Sequence, residues 1–126
     1  VKRLFSNSLK TQKEKSEVVK NAVIFGGSAV GVVDFESENV RIIAGQAADE
    51  LLGVDGVEAT YILFKTGNVI NISARSYGTV NVQLVMENMG GGGHRTMAAC
   101  QIEDISFEEA LSQLKKSIKT VKMLNE

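Results

Sequence analysis

The chain has 126 residues, 44% hydrophobic and 23% charged, enough for one compact domain that buries a little under about 70% of its unfolded surface but not for a second core. A formal net charge of −1 excludes a protein that coats duplex nucleic acid through a broad basic face, so any anion site must be local. A single cysteine, Cys100, and a single histidine, His94, exclude an internal disulfide and a Cys/His zinc cage.

No apolar run approaches the roughly 20 residues that span a bilayer. The opening VKRLFSNSLKTQKEK has neither an apolar stretch of signal-peptide length nor a small-residue cleavage site. With Val1 in first place, the expectation is an excised piece of a longer protein. Residues 1–20 are then an N-terminal helix or linker from a preceding domain, and residues 21–126 are one folded domain. Residues 8–20 read as a charged helix in which Leu9, Gln12 and Val19 are too sparse to define a buried face. Lys10, Lys13, Lys15 and Lys20, mixed with Glu14 and Glu17, read as a solvated face.

Ala22–Phe25 and Ser28–Phe35 flank Gly26-Gly27 and are rich in β-branched residues, which predicts a hairpin. Ala44, Ala47, Ala48 and Leu51 recur at i, i+3, i+4 and i+7, so residues 40–52 form an amphipathic helix with Asn39 as N-cap candidate and Gly53 at the C-cap. Val57–Phe64 and Val69–Arg75 are strand-like runs joined by Lys65-Thr66-Gly67-Asn68, the strongest hairpin signal in the chain. Val82, Val85, Met86 and Met89 predict a helix over Thr79–Met89 that stops on Gly90–Gly93. A strand follows near Cys100–Glu103. Ser106 and Glu109 then form a capping box, ahead of a helix with Phe107, Ala110, Leu111, Leu114, Ile118 and Val121 along one side. The expected fold is α/β: one domain with a mixed sheet of about five strands and helices packed on it.

Four consecutive glycines before His94 and Arg95 are more than a helix end requires, because each added glycine costs roughly 0.5–1 kcal/mol of backbone entropy relative to alanine. A site that needs that backbone shape is the economical explanation. Successive amide groups without side chains can form a nest for a phosphate oxygen, and His94 just after them is a candidate donor. In Val69–Arg75, alternation puts Ile70, Ile72 and Ala74 on one face and Asn71, Ser73 and Arg75 on the other. Arg75 could grip a phosphate bidentately with Ser73 adding a hydroxyl, or this could be a solvated side of the sheet. Asp34, Glu36 and Glu38 have no companion histidines and read as a solvated edge, as do Asp49 and Glu50. No Ser–His–Asp order can be drawn, so neither a catalytic residue nor a metal ligand is assigned.

INISARS at Ile70–Ser76, NVQLVMENMGGGGH at Asn81–His94 and the following Ala98-Ala99 together resemble the DHH-associated domain of the first type, which trails the catalytic domain of DHH-family phosphodiesterases. IIAGQAADELL at Ile42–Leu52 extends the resemblance to the membrane-anchored cyclic-di-AMP phosphodiesterases of the GdpP type, over roughly residues 15–121. The resemblance implies a substrate-binding module for an enzyme that hydrolyses cyclic-di-AMP to pApA. It carries the phosphate-facing role to Gly91, Gly92, Gly93 and His94, the arginine role to Arg75, and less secure polar contacts to Ser73 and Asn81. It implies no cofactor within these residues, two manganese ions in a separate DHH domain, and therefore a chain that is inactive alone. The candidate partners are cyclic-di-AMP or a short dinucleotide, the preceding DHH domain and a second copy of the chain. The implied location is cytoplasmic, with the parent protein anchored to the cell membrane by an upstream segment. Two alternatives use the same module: a nanoRNase acting on short oligonucleotides, and a non-catalytic RNA-binding or dimerisation domain.

Overall fold

A computed structural model describes residues 8–124; the first seven residues of the expected linker lie outside the described residues. The chain runs through α1 (Leu9–Lys20), β1 (Val23–Phe25), β2 (Ser28–Val33), α2 (Val40–Leu52), β3 (Ala59–Thr66) and β4 (Val69–Ser76). It continues with α3 (Val82–Glu87), β5 (Gly92–Gly93), β6 (Met97–Glu103) and α4 (Phe107–Leu124). One mixed sheet has the order β1-β2-β3-β4-β6-β5. The β2–β3 pair is parallel, and α2 supplies the crossover that a parallel pair requires. All other pairs are antiparallel.

Both predicted hairpins form, with Gly26 and Gly67 at φ 63° in their turns, a backbone region costly for residues with a Cβ. The sixth strand is the difference from the expected count. Two glycines have no β-branched or alternating signature, and β5 exists only because β6 pairs with it.

The sheet separates two cores. Ala59, Tyr61, Leu63, Ile70, Ile72 and Ala74 pack with Val82, Val85 and Met86 of α3 and with Ala110, Leu114 and Val121 of α4. On the opposite face Ala29, Val33, Ile62 and Phe64 meet Ile43, Ala44, Ala47, Ala48 and Leu51 of α2 and Val18 of α1. The small alanines let α2 approach closely enough for Thr60 Oγ1 to donate to Ala48 O at 3.0 Å. Helix α1 buries Thr11 and Val18, whereas Leu9 is 70% exposed: the apolar residues of a mostly polar helix do not by themselves identify its packed face.

Caps follow the sequence in part. Ser106 Oγ accepts from Glu109 N at 3.1 Å, and Ser8 caps α1. Asn39 occupies the α2 N-cap position without a side-chain bond, and Gly53 closes the helix at φ −80° rather than in a left-handed turn. Helix α3 covers Val82–Glu87 rather than Thr79–Met89, its start set by the Asn81 cap. No helix among the described residues is long and apolar enough to cross a membrane.

Cys100 is 3% exposed in the α3/α4 core, and burial pushes its thiol from 9.0 up to about 11. Tyr61, fully buried with a hydroxyl lacking a partner, is raised by the same cause. The folded chain therefore holds these protons after the unfolded chain has released them. Stability is intact below pH 9 and falls as pH rises towards 11. A two-unit gap at the cysteine corresponds to roughly 2–3 kcal/mol. Urea midpoints are expected to drop between pH 8.5 and 10.5, and Cys100→Ala should flatten that drop. An identical pH slope in the variant would remove Cys100 as the cause.

Candidate functional site

Alternation along β4 sends Ile70, Ile72 and Ala74 into the α3/α4 core and turns Asn71, Ser73 and Arg75 towards the face that α2 packs on. Helix α2 packs over β2, β3 and β4, while Met97, Ala99 and Gln101 of β6 are exposed. A groove is left between the flank of α2 and β6, floored by the polar residues of β4. A cavity of about 170 Å³ within it is bordered by Arg41 and Gly45 of α2, Phe64 of β3, Asn71, Ser73 and Arg75 of β4, and Ala99 and Gln101 of β6.

The Arg75 side chain is held in place and is 19% exposed. Nη1 donates to Ser73 Oγ at 3.1 Å and to Ala74 O at 3.2 Å. Its Nε stands 3.5 Å from Asp49 Oδ1, an ion-pair distance without hydrogen-bond alignment. The guanidinium passes Gly45, where a Cβ would lie 3.7 Å from Nη2. Ser73 Oγ accepts from the arginine and keeps its own proton to donate. Asp49 is 69% exposed at its side chain, so its hold on the arginine is weakened by water and open to competition from a stronger anion.

Directly opposed residues of neighbouring strands share a face. Ser73 lies opposite Ala99, and Ala99 opposite Gly92, so Ser73, Ala99 and Gly92 form one transverse row. Arg75 lies opposite Met97, and the backbones of Met97 and His94 exchange hydrogen bonds of 2.7 and 3.3 Å, which makes a second row. The structure thus brings Arg75, Ser73, Gly92 and His94 to one side of one sheet end, with β5 about two strand spacings, roughly 10 Å, from β4.

The glycine run departs from the expected nest. Gly90 N donates to Glu87 O, Gly91 N to Met86 O and His94 N to Met97 O, so these amides are used within the fold. Gly91 and Gly93 lie so close to β6 that a Cβ on the first would overlap Ala99 O and one on the second would stand 2.5 Å from Ala98 Cα. At Gly92 a Cβ would meet nothing within 4 Å. Gly92 is therefore the position where the run leaves open approach for a ligand.

Asn81 is not brought to the groove. Its Oδ1 accepts from Gln83 N and Leu84 N, and the helix it caps packs on the other face. Arg41 and Gln101 border the cavity but were absent from the candidates read in the sequence. A cation in the first turn of a helix is the one signal that could have marked Arg41; Gln101 carries none before β6 is paired. Larger clefts lie elsewhere and are lined by carboxylates and lysines together. One of about 710 Å³ sets Asp34, Glu36 and Glu38 beside Lys10 and Lys65. Another of about 260 Å³ includes Glu17 and Asp34, with Lys115 drawn over the Phe25 ring. Among the described residues no three His, Cys, Asp or Glu side chains gather as metal ligands.

A family model described as the DHHA1 domain matches residues 26–120. The chain is 37% identical over 120 residues to the cyclic-di-AMP phosphodiesterase PdeA of Listeria monocytogenes and 38% identical over 120 residues to the cyclic-di-AMP phosphodiesterase GdpP of Geobacillus thermodenitrificans. Each match covers 94% of this chain and 18% of the relative, so the chain spans about a fifth of their length. A crystal structure of an exopolyphosphatase-related protein from Bacteroides fragilis superposes with a TM-score of 0.78 at 20% identity, over 94% of this chain and 37% of the other. That likeness is one of fold.

Proposed function

Because this chain belongs to the DHHA1 domain family, we propose that it is the substrate-binding module of a phosphodiesterase that hydrolyses cyclic-di-AMP to pApA. The observation that carries the reading is the convergence of Arg75, Ser73, Gly92 and His94 on one face beside an open cavity. Arg75 and Ser73 are assigned as the main phosphate anchor. The guanidinium offers paired donors and the hydroxyl a third, the donor set that suits a tetrahedral anion. Gly92 lets the nucleotide backbone come close, and the exposed His94 ring adds a donor at the rim.

A module of this kind contributes orientation and charge compensation rather than the attacking group. Two manganese ions, when bound, would supply the activated hydroxide. Their ligands, the catalytic residues and the membrane anchor are assigned to other parts of the protein. Among the residues described here, Arg75 and Ser73 hold the phosphate in line for attack and offset its developing charge.

Calorimetry with cyclic-di-AMP tests the assignment. Arg75→Ala is expected to weaken binding by about 1.5–3 kcal/mol, the range for a hydrogen bond to a charged group, or roughly 10–150-fold. Unchanged affinity would leave Arg75 a surface partner of Asp49. A mobility-shift titration with tRNA in parallel decides between this reading and an RNA-binding one.

A further inference from the structure

The groove continues beyond Arg75, and its far end is built from residues outside the glycine and arginine motifs. Arg41 stands in the first turn of α2, and its guanidinium lies 5.5 Å from the centroid of the Phe64 ring. The side chain is exposed and has no carboxylate within ion-pair distance among the described residues. This is an unfavourable place for a cation. The N-terminus of a helix carries partial positive charge, first-turn acids normally offset it, and α2 has no acidic residue there and no side-chain cap. The charge becomes favourable when an anion is held, because helix end and guanidinium then act on it together.

A second observation points to a ligand at the same place. Asn71 is 3% exposed and borders the cavity. Its Nδ2 faces Thr66 Oγ1 at 2.9 Å and the carbonyls of Phe64 and Val69 at 3.4 Å. Two of these three can only accept, which fixes the orientation of the amide. Its Oδ1 is left without a partner, an uncommon state for a buried acceptor.

We infer that Arg41 forms a second phosphate subsite, so that a dinucleotide lies along the groove with one phosphate on Arg75 and the next on Arg41. Helix geometry supports the spacing. Arg75 Nη2 lies beside Gly45, and Arg41 is one turn earlier on α2, about 6 Å along its axis, a step comparable to one nucleotide. The Phe64 face preorganises the guanidinium, and Asn71 Oδ1 is the acceptor that a hydroxyl between the two phosphates would satisfy. The inference rests on the phosphate-binding reading of Arg75.

The test compares pApA, which has two phosphates, with ApA, which has one, by calorimetry on the wild-type chain and on Arg41→Ala, Arg41→Lys and Arg75→Ala. Wild type is expected to prefer pApA at least tenfold. Arg41→Ala should bring pApA down to the affinity of ApA and leave ApA unchanged, with lysine restoring part of the preference. Arg75→Ala should weaken both ligands. The second subsite is overturned if wild type shows no preference, or if Arg41→Ala lowers both ligands equally or neither. If Arg75→Ala alters neither ligand, the anchor reading fails and this inference fails with it. Melting curves keep the variants interpretable, since Arg41 lies outside both cores.

Discussion

Replacing Gly91 or Gly93 by alanine is expected to destabilise the fold, whereas replacing Gly92 by valine is expected to leave the fold intact and remove dinucleotide binding. At Gly91 the added Cβ would lie 2.6 Å from Cys100 Cβ and 2.7 Å from Cys100 Cα, besides overlapping Ala99 O. At Gly93 it would lie 2.6 Å from Met97 O and 2.8 Å from Ala98 Cβ, on a backbone at φ 146°. The obstructing atoms are mostly backbone, so β5 must move away from β6. Overpacking of this kind costs about 1–3 kcal/mol, and a backbone conformation suited only to glycine adds on the order of 1–3 kcal/mol at Gly93. For a domain of this size 1 kcal/mol corresponds to roughly 4 °C, which puts the expected loss in melting temperature on the order of 10 °C. Gly92 has open space and no left-handed φ. Valine there suits a strand but projects its bulk over the row shared with Ala99 and Ser73. Melting curves and calorimetry on the three variants separate the outcomes. A stable Gly91→Ala would refute the close approach to β6, and normal binding by Gly92→Val would make the whole glycine run structural.

The chain by itself is expected to yield no pApA from cyclic-di-AMP, even with excess manganese. The single histidine sits on the turn between β5 and β6, its backbone paired with Met97. The described carboxylates form no group of three with it or with each other, and a pair of catalytic ions about 3.5–4 Å apart needs more than that. Without metal activation, water retains a pKa near 15.7 in place of one near 7, and no side chain in the groove is placed as a general base. Chromatography of labelled substrate, with the whole protein as a positive control, is the measurement. The expected ratio of rates is at least about 10³, the order by which removal of a main catalytic element slows an enzyme. Turnover by the chain at a rate near that of the whole protein would contradict the separation of binding from catalysis and return attention to Asp34, Glu36, Asp49 and His94.

Much of the architecture is local information. The spacing of Ala44, Ala47, Ala48 and Leu51 reports a helix face directly, since residues three and four apart stack on one side, and α2 occupies Val40–Leu52 as that spacing requires. The β3–β4 hairpin and the Ser106 cap were legible for the same reason, because turn and cap chemistry operate over a few residues. Alternation in INISARS separated the two faces of β4 before any partner strand was known, and only the placement of α2 and β6 made the polar face a groove. Helix α1 shows the limit of such reading. Thr11 and Val18 are its buried residues, and only the position of α2 and β2 beside it selects them over Leu9.

The sequence by itself determined the helices, five of the six strands and the mixed sheet, which depend on periodicity and turn chemistry, while Arg75, the glycine run and His94 were marked as site candidates through the family resemblance of their motifs. Tertiary structure decided the rest. That Gly91 and Gly93 serve contact with β6, that Asn81 caps a helix on the other face, and that Arg41 and Gln101 border the same cavity as Arg75 all follow from strand register and from the placement of α2. Arg41 and Gln101 are 60 positions apart in the chain, and no local pattern links them. They meet because β6 inserts beside β4 in antiparallel register while the alanine face of α2 holds the helix against β3. Side-chain convergence of this kind is a property of packed elements, whose relative positions are set by burial summed over the whole domain rather than by any one segment.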